Sequence, residues 1–509
     1  MTKFELDQSR ENLTTHSGLA LIGRLFSWTS ISDSINRVIT TKQKGEVTIS
    51  HGDVVVSYMG LLSQGKSDYE AIEEFRNDDF FKLSLDLQNV PSSSTLRQRL
   101  DDLALLPDQQ DLKQKLKQES ARLLGSQKVE LTPTLGNLIA LDLDVSPYDN
   151  SGTRKEEVSR TYKGFDGYSP MFAYLGLEGY QINAELRPGK QHCQKDTPAF
   201  LHETLTLVRL VTDAPLLVRM DSGNDAKENL FILQQAKNVD YLIKRNLRRE
   251  SKQEWLEKAK KIGVKEKVRK GKTVYRGREV RSKSVKVDGE TEEFKVTCLF
   301  KVSHYTHDHK GQLLDKEVIE VESYWTSLPE CLAAIKNQSA TSGESKANTK
   351  NNRAVSEKNT PDVPDASDAP DATNTIKRRK KDAKVKRNVE EIIDQYHHHG
   401  TSEQFHSEQK SDMGLERFPS GHFATNHLIL IMALVVYNFL RIIGQTANRS
   451  DKMPMRKSAT RRRLRTVIQN LIYIASRLVR HARRFKLRFG AHSPWFNTFE
   501  YVYQQLAPT

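Results

Sequence analysis

Between residues 138 and 145, apolar Leu141, Leu143 and Val145 alternate with Asp142 and Asp144, a period of two that predicts a strand with two carboxylates on its other face. Further strands are expected at 171–175 and 180–186, joined as a hairpin through Glu178-Gly179 and ended by Pro188-Gly189. Two more follow at 216–220, stopping at Asp221-Ser222-Gly223, and at 239–243, with helical sequence at 198–211 and again between these two strands. Strand, hairpin, helix, strand, helix, strand is an α/β layout. The N-terminal third reads instead as helices. Ser67-Asp68-Tyr69-Glu70 has capping-box spacing ahead of Ile72 and Phe75, and Ser94-Thr95 can cap a helix carrying Leu96, Leu100 and Leu103. The apolar run 428–439 holds Asn438 and falls short of the roughly 18 to 20 residues that cross a bilayer, so it predicts a buried core helix and no membrane partner.

A chain of 509 residues exceeds one ordinary core, which implies several domains. With 37% hydrophobic residues, part of it is not expected to pack, and the composition places that part at 337–388, where Ser, Asn, Lys, Ala and Asp dominate. The division expected is a helical N-terminal DNA-binding region (1–130), an α/β core (131–247), a β-rich insertion returning to the core (248–336), a disordered linker (337–388), the rest of the core (389–450) and a basic helical C-terminal region (451–509). In the insertion, Asp288-Gly289 between alternating segments signals a hairpin. The N-terminus lacks the apolar stretch of a secretory signal, and Cys193, Cys298 and Cys331 are too few for a disulfide framework, so a reducing cytoplasm is expected.

The net charge of +14 favours a polyanionic partner such as nucleic acid or an acidic membrane, or serves solubility alone. Arg97 and Arg99 lie off the apolar stripe of their helix, where they either touch DNA or form a solvated face. The tail carries Arg461-Arg462-Arg463, Arg480, Arg483, Arg484 and Arg488, which form either a DNA clamp or a solvated surface. For chemistry, Asp144 and Asp221 each end a predicted strand, and the strand ends of α/β folds are where sites collect. Farther on, Tyr396, His399, Glu403 and Lys410 would fall within a stripe of roughly 60° on one helix. Three converging carboxylates can hold Mg²⁺, and two such ions can drive phosphoryl displacement. On residues alone, Asp142 competes with Asp144 for this role.

These segments resemble the DDE transposases of bacterial insertion sequences. The family carries an Asp followed by a small residue and Thr or Ser, a strand ending in Asp, and the signature Y-x2-R-x3-E-x6-K. Here stand Asp144-Val145-Ser146, the strand ending at Asp221, and Tyr396-x2-His399-x3-Glu403-x6-Lys410, with His in place of Arg. Leu186-Arg187-Pro188-Gly189, Tyr324-Trp325-Thr326-Ser327-Leu328 and Lys410-Ser411-Asp412-Met413-Gly414-Leu415 are similar to the insertion-sequence 1380 type. The resemblance implies an RNase H-like catalytic core with a β-rich insertion between the second and third acids. It implies that Asp144, Asp221 and Glu403 bind two Mg²⁺ or Mn²⁺ ions, while Tyr396, His399 and Lys410 contact phosphates. It further implies a cytoplasmic, nucleoid-associated enzyme that acts as a homodimer on paired transposon ends. A neutral His offers less charge than Arg and no planar donor fork. Two alternatives share the same residues: a DNA-binding protein that has lost catalysis, and a nuclease without strand transfer. The His397-His398-His399 triplet diverges too much on a helix to chelate zinc well, and Tyr324-Trp325 reads as core more readily than as a base-stacking pair.

Overall fold

A computed structural model describes residues 4–8, 11–37, 49–106, 109–328, 388–455, 458–482 and 484–508. The chain divides into two compact units, one formed by residues 1–220 and 399–509, the other by residues 221–398.

The first unit begins with helices α1 (Leu19–Phe26), α2 (His51–Leu62), α3 (Ser93–Ala104) and α4 (Gln109–Ser126). Ser92 caps α3 by accepting from the Thr95 N–H at 3.2 Å, so the cap sits two residues earlier than the sequence suggests. The expected capping box at Ser67 does not form; Tyr69–Phe75 is a 3₁₀ turn with no side-chain cap. Strands β1 (Ile139–Val145), β2 (Met171–Leu175) and β3 (Tyr180–Glu185), helix α5 (Thr197–Val208) and strand β4 (Leu216–Met220) follow. Within this unit they are ordered β4-β1-β2-β3, with β1 parallel to β4 and the other pairs antiparallel, giving a mixed α/β architecture.

The chain returns in α6 (Ser402–Ser407), a π-helical turn Glu408–Asp412 and the long α7 (Phe423–Asn448). Residues 428–444 of α7 are all buried, because the helix is enclosed by β3 and by α1 to α4. Although α7 is apolar and long enough to span a bilayer, it is the central helix of this unit. Asn438 is tolerated inside it because every polar atom is paired. Its Nδ2 donates to the Gln181 carbonyl at 2.7 Å and to Ser120 Oγ at 2.9 Å, and its Oδ1 accepts from the Gln181 N–H at 2.9 Å, which fixes α7 on β3.

The C-terminal region corrects the expectation of a basic helical tail. Helix occurs in short pieces, Leu464–Val467 and α8 (Phe496–Gln505), while β5 (Ser476–His481) and β6 (Arg484–Phe489) form an antiparallel hairpin. The local sequence explains it: Arg484-Phe485-Lys486-Leu487-Arg488-Phe489 alternates with period two, which a helix would scatter around its circumference.

In the second unit, Val239–Lys244 pairs with Leu313–Thr326, the last strand of an antiparallel meander that also includes Val264–Arg269, Lys272–Val287 and Glu290–His307. The hairpin signal is realised: Asp288 (φ 50°) and Gly289 (φ 89°) form the two-residue turn, with both residues in the left-handed region such turns require. Trp325 is fully buried, with Nε1 donating to Asp225 at 2.7 Å and Arg245 over its ring at 4.5 Å, so the aromatic pair Tyr324-Trp325 is core. The linker expectation at 337–388 falls, apart from Asn388, outside the described residues.

Candidate active site

Strand β1 is central, so its polar face is covered along with its apolar one and each acid on it needs a partner. Asp142 finds one across the parallel register. Arg219 of β4 stands opposite it, donating from Nε at 2.6 Å and from Nη2 at 2.7 Å, with both side chains almost completely buried. His399 Nδ1 lies 3.0 Å from the same carboxylate. Burial pushes the Asp142 carboxyl up, but Arg219 and His399 outweigh it and hold the group below the usual carboxylate range. Burial likewise works against the His399 imidazolium, yet Asp142 and then Asp144 raise its pKa above the ordinary value. Asp142 is thus an internal counter-ion to Arg219 and His399.

Asp144 keeps 23% of its side chain exposed. Its Oδ1 accepts from the Val145 N–H at 2.7 Å, and its Oδ2 lies 3.3 Å from His406 Nε2. Burial pushes this carboxyl up as well; the hydrogen bond from His406, the charge of His399 and the Val145 N–H bring it below its ordinary value. Burial dominates at His406 and lowers its pKa, so a neutral ring donates to Asp144 and turns Nδ1 toward Tyr174 Oη at 3.4 Å. In the register of β1 with β4, Leu143 pairs with Met220, and the next residues along the two strands are Asp144 and Asp221. Asp221 caps the turn Ser222–Asn224, its Oδ1 accepting from the Gly223 N–H at 3.0 Å and from Asn224 Nδ2 at 2.9 Å.

The segment with the remaining residues is not one regular helix. It runs as helix over 388–397, a 3₁₀ turn His398–Thr401, α6 and then the π turn, so the single stripe expected from a 100° step does not form. The reasons lie in Gly400, a poor helix former, and in the anchors on the π turn described below. Glu403 is exposed in the first turn of α6. His399 is buried against Asp142 and so turned away from any phosphate outside the fold. Lys410 donates to the Pro147 carbonyl at 2.6 Å with its ammonium 5.0 Å over the Tyr148 ring; burial first, and then Lys163, pull its pKa down to about 8. Tyr396, in the second unit, packs against Tyr324 at 5.0 Å between ring centroids, with Lys244 over its ring at 5.8 Å. Arg97 is exposed on α3, whereas Arg99 bends inward to His51 Nδ1 at 2.7 Å and the Ile49 carbonyl at 3.3 Å.

Phe405 of α6 docks on the β2–β3 turn at Gly179, whose φ of +72° favours glycine and where an added Cβ would meet the Phe405 ring at 2.3 Å. Gly179→Ala therefore pushes α6 away from the sheet. We expect a loss of about 2 kcal/mol or more in urea unfolding from clash and backbone strain together; a variant as stable as the wild type would show that the turn yields freely.

Sequence reasoning missed a second set of residues. Glu408, fully buried in the π turn, accepts from Arg441 of α7, from Arg461 and, at 3.2 Å, from Tyr437 Oη. Arg461 Nη2 also donates to Gln404 at 2.7 Å, and Arg463 Nε to Asp412 at 2.9 Å. Of the arginine run 461–463, Arg461 and the half-exposed Arg463 clamp α6 and the π turn, while Arg462 Nε donates to Asn448 of α7 at 3.0 Å. A charged Arg219 inside the apolar strand Leu216–Met220 was the legible signal of a buried partner; the Glu408 cluster carried none.

The donor chemistry suits a hard divalent cation in part. Asp144 in the first unit and Asp221 in the second each offer carboxylate oxygens held by N–H donors that a cation can replace. Among the described residues, no three His, Cys, Asp or Glu side chains are gathered closely enough to hold a metal ion.

A family model described as transposase DDE domain group 1 matches residues 2–291 and 381–509. The chain belongs to that family. Among solved structures, a cryo-EM structure of the piggyBac transposase synaptic complex with hairpin DNA is similar over 92% of this chain and 82% of that one, at 11% identity and a TM-score of 0.34. No curated protein matches the chain.

Proposed function

We propose that this chain is a transposase of the insertion-sequence 1380 type that cuts DNA at the ends of its own mobile element and joins the freed 3′-hydroxyl to target DNA. The observation that carries the reading is the parallel register of β1 and β4, whose last pair, Leu143 with Met220, is followed in sequence by Asp144 on one strand and Asp221 on the other, within a chain of the DDE family. The order β4-β1-β2-β3 with one parallel pair supports an RNase H-like core. Asp144, Asp221 and Glu403 are the acids assigned to two Mg²⁺ or Mn²⁺ ions, which when bound would activate the attacking oxygen and neutralise the leaving one. Asp144 is kept ionised by His406, and Asp142 with Arg219 holds the strand beneath it. Lys410 and Tyr396 are assigned to phosphate contacts, and His399 to support from below. The protein would act in the cytoplasm as a homodimer on paired terminal repeats.

A strand-transfer assay with a labelled 3′-ended element terminus tests this. The expected result is divalent-cation-dependent cleavage followed by joining to target DNA. Binding without cleavage would replace the reading by a DNA-binding protein that has lost catalysis, and cleavage without joining by a nuclease.

A further inference from the structure

The hairpin β5–β6 has two unlike faces. Its register sets Arg477 opposite Arg488, Val479 opposite Lys486 and His481 opposite Arg484 on one side; on the other lie Ser476 with Phe489, Leu478 with Leu487 and Arg480 with Phe485. The second side is packed at its Ser476–Phe489 end, where Phe489 meets Phe496 at 5.3 Å and Phe499 at 5.0 Å between ring centroids, while Arg480 and Phe485 at its other end are exposed. On the first side Arg477, His481, Arg484, Lys486 and Arg488 are all exposed. Arg477 is bridged to Glu11 at 2.7 Å, but among the described residues no carboxylate pairs with Arg484, Lys486 or Arg488.

Like charges directly opposite one another in a sheet are destabilising, and Arg477 stands opposite Arg488 with Glu11 offsetting the repulsion from the Arg477 side alone. Protection of a free sheet edge would need cations on β6 alone. Here β5, which is paired on both sides, by β6 and by the short strand Leu13–Thr14, adds Arg477 to the same face. Long cationic side chains on a narrow two-stranded ribbon suit the spaced charges of a duplex backbone, and such a ribbon is thin enough to follow a groove. A compact anion would engage one or two of these side chains and leave the repulsion among the others.

We infer that the Arg477–Arg488 face of the β5–β6 ribbon binds the phosphate backbone of double-stranded DNA, independently of sequence. The inference rests on the reading of the chain as a DNA-acting enzyme, and it assigns the contact to a ribbon in the C-terminal region. The test uses the full-length protein and fluorescence anisotropy with a duplex of about 30 base pairs unrelated to the element, titrated between about 50 and 200 mM salt. Replacing Arg484, Lys486 and Arg488 together by Ala is expected to weaken binding at least about tenfold near 0.1 M salt and to flatten the slope of log K against log salt by about 2 to 3. The charge-keeping pair Arg484→Lys and Arg488→Lys should retain both affinity and slope. Wild-type affinity and slope in the triple variant, or an equal loss in the charge-keeping one, would overturn the assignment. Neither outcome touches the catalytic reading, which is scored separately by strand transfer and by substitution of Asp144.

Discussion

Asparagine at Asp144 is expected to reduce end cleavage and strand transfer by about a thousandfold or more, corresponding to roughly 4 kcal/mol of transition-state stabilisation, with the fold intact. The side chain keeps its shape, so an oxygen can still accept from the Val145 N–H, and His406, whose burial holds it neutral, loses no counter-ion it depends on. What disappears is the anionic oxygen, the property a hard cation selects. The same substitution two residues earlier should fail in a different way. Asp142→Asn strips the charge from a carboxylate that pairs bidentately with a wholly buried Arg219 and also faces His399, and breaking a buried pair from one side costs about 3 to 5 kcal/mol. Cleavage kinetics and urea unfolding on both variants separate the roles. Full activity in Asp144→Asn, or a loss of activity in it that merely follows unfolding, would remove Asp144 from the chemistry.

That contrast marks where the sequence stops being legible. The alternation in Leu141-Asp142-Leu143-Asp144 is enough to place both acids on one face of a strand, because side-chain direction in a strand depends only on parity. It cannot tell which acid is neutralised, since that depends on which residue of another strand lies opposite, and Arg219 is brought there by the register. The strands around the site, the Asp288-Gly289 turn and the buried helix around Asn438 were readable because each is specified by local alternation, a turn dipeptide or an apolar run. The segment from Tyr396 to Lys410 was not, because changes of helix type rephase the side chains and the 100° step no longer applies. The C-terminal region misled for a related reason. Its arginines look alike in sequence, yet Arg461 and Arg463 turn inward to acids of the π turn while Arg484 and Arg488 stand exposed on a ribbon. Only the tertiary partners, Glu408 and Asp412 in one case, distinguish them.

Glu408→Ala is expected to be among the most destabilising single substitutions in the chain, at about 3 to 5 kcal/mol in denaturant unfolding. Both carboxylate oxygens are engaged, one by Arg461 and the other by Arg441, and Arg441 is wholly enclosed by the core around α7. Burial works against the Arg441 charge, but Tyr437 and Glu408 more than offset it and raise its pKa, so the guanidinium stays charged and has no exit to water when the carboxylate is removed. Gln at this position keeps the shape and one acceptor while losing the charge, and should fall between Ala and wild type. Arg463, about half exposed at 48% beside Asp412, supplies the comparison: solvent screening limits such a pair to about 0 to 1 kcal/mol, and Arg465 at 3.4 Å still faces the acid after Arg463→Ala. If Glu408→Ala unfolds within about 1 kcal/mol of wild type, the cluster does not hold the π turn. If the expected loss appears, Glu403 of α6 and Lys410 of the π turn owe their positions to a buried charge cluster whose members lie outside the sequence signature.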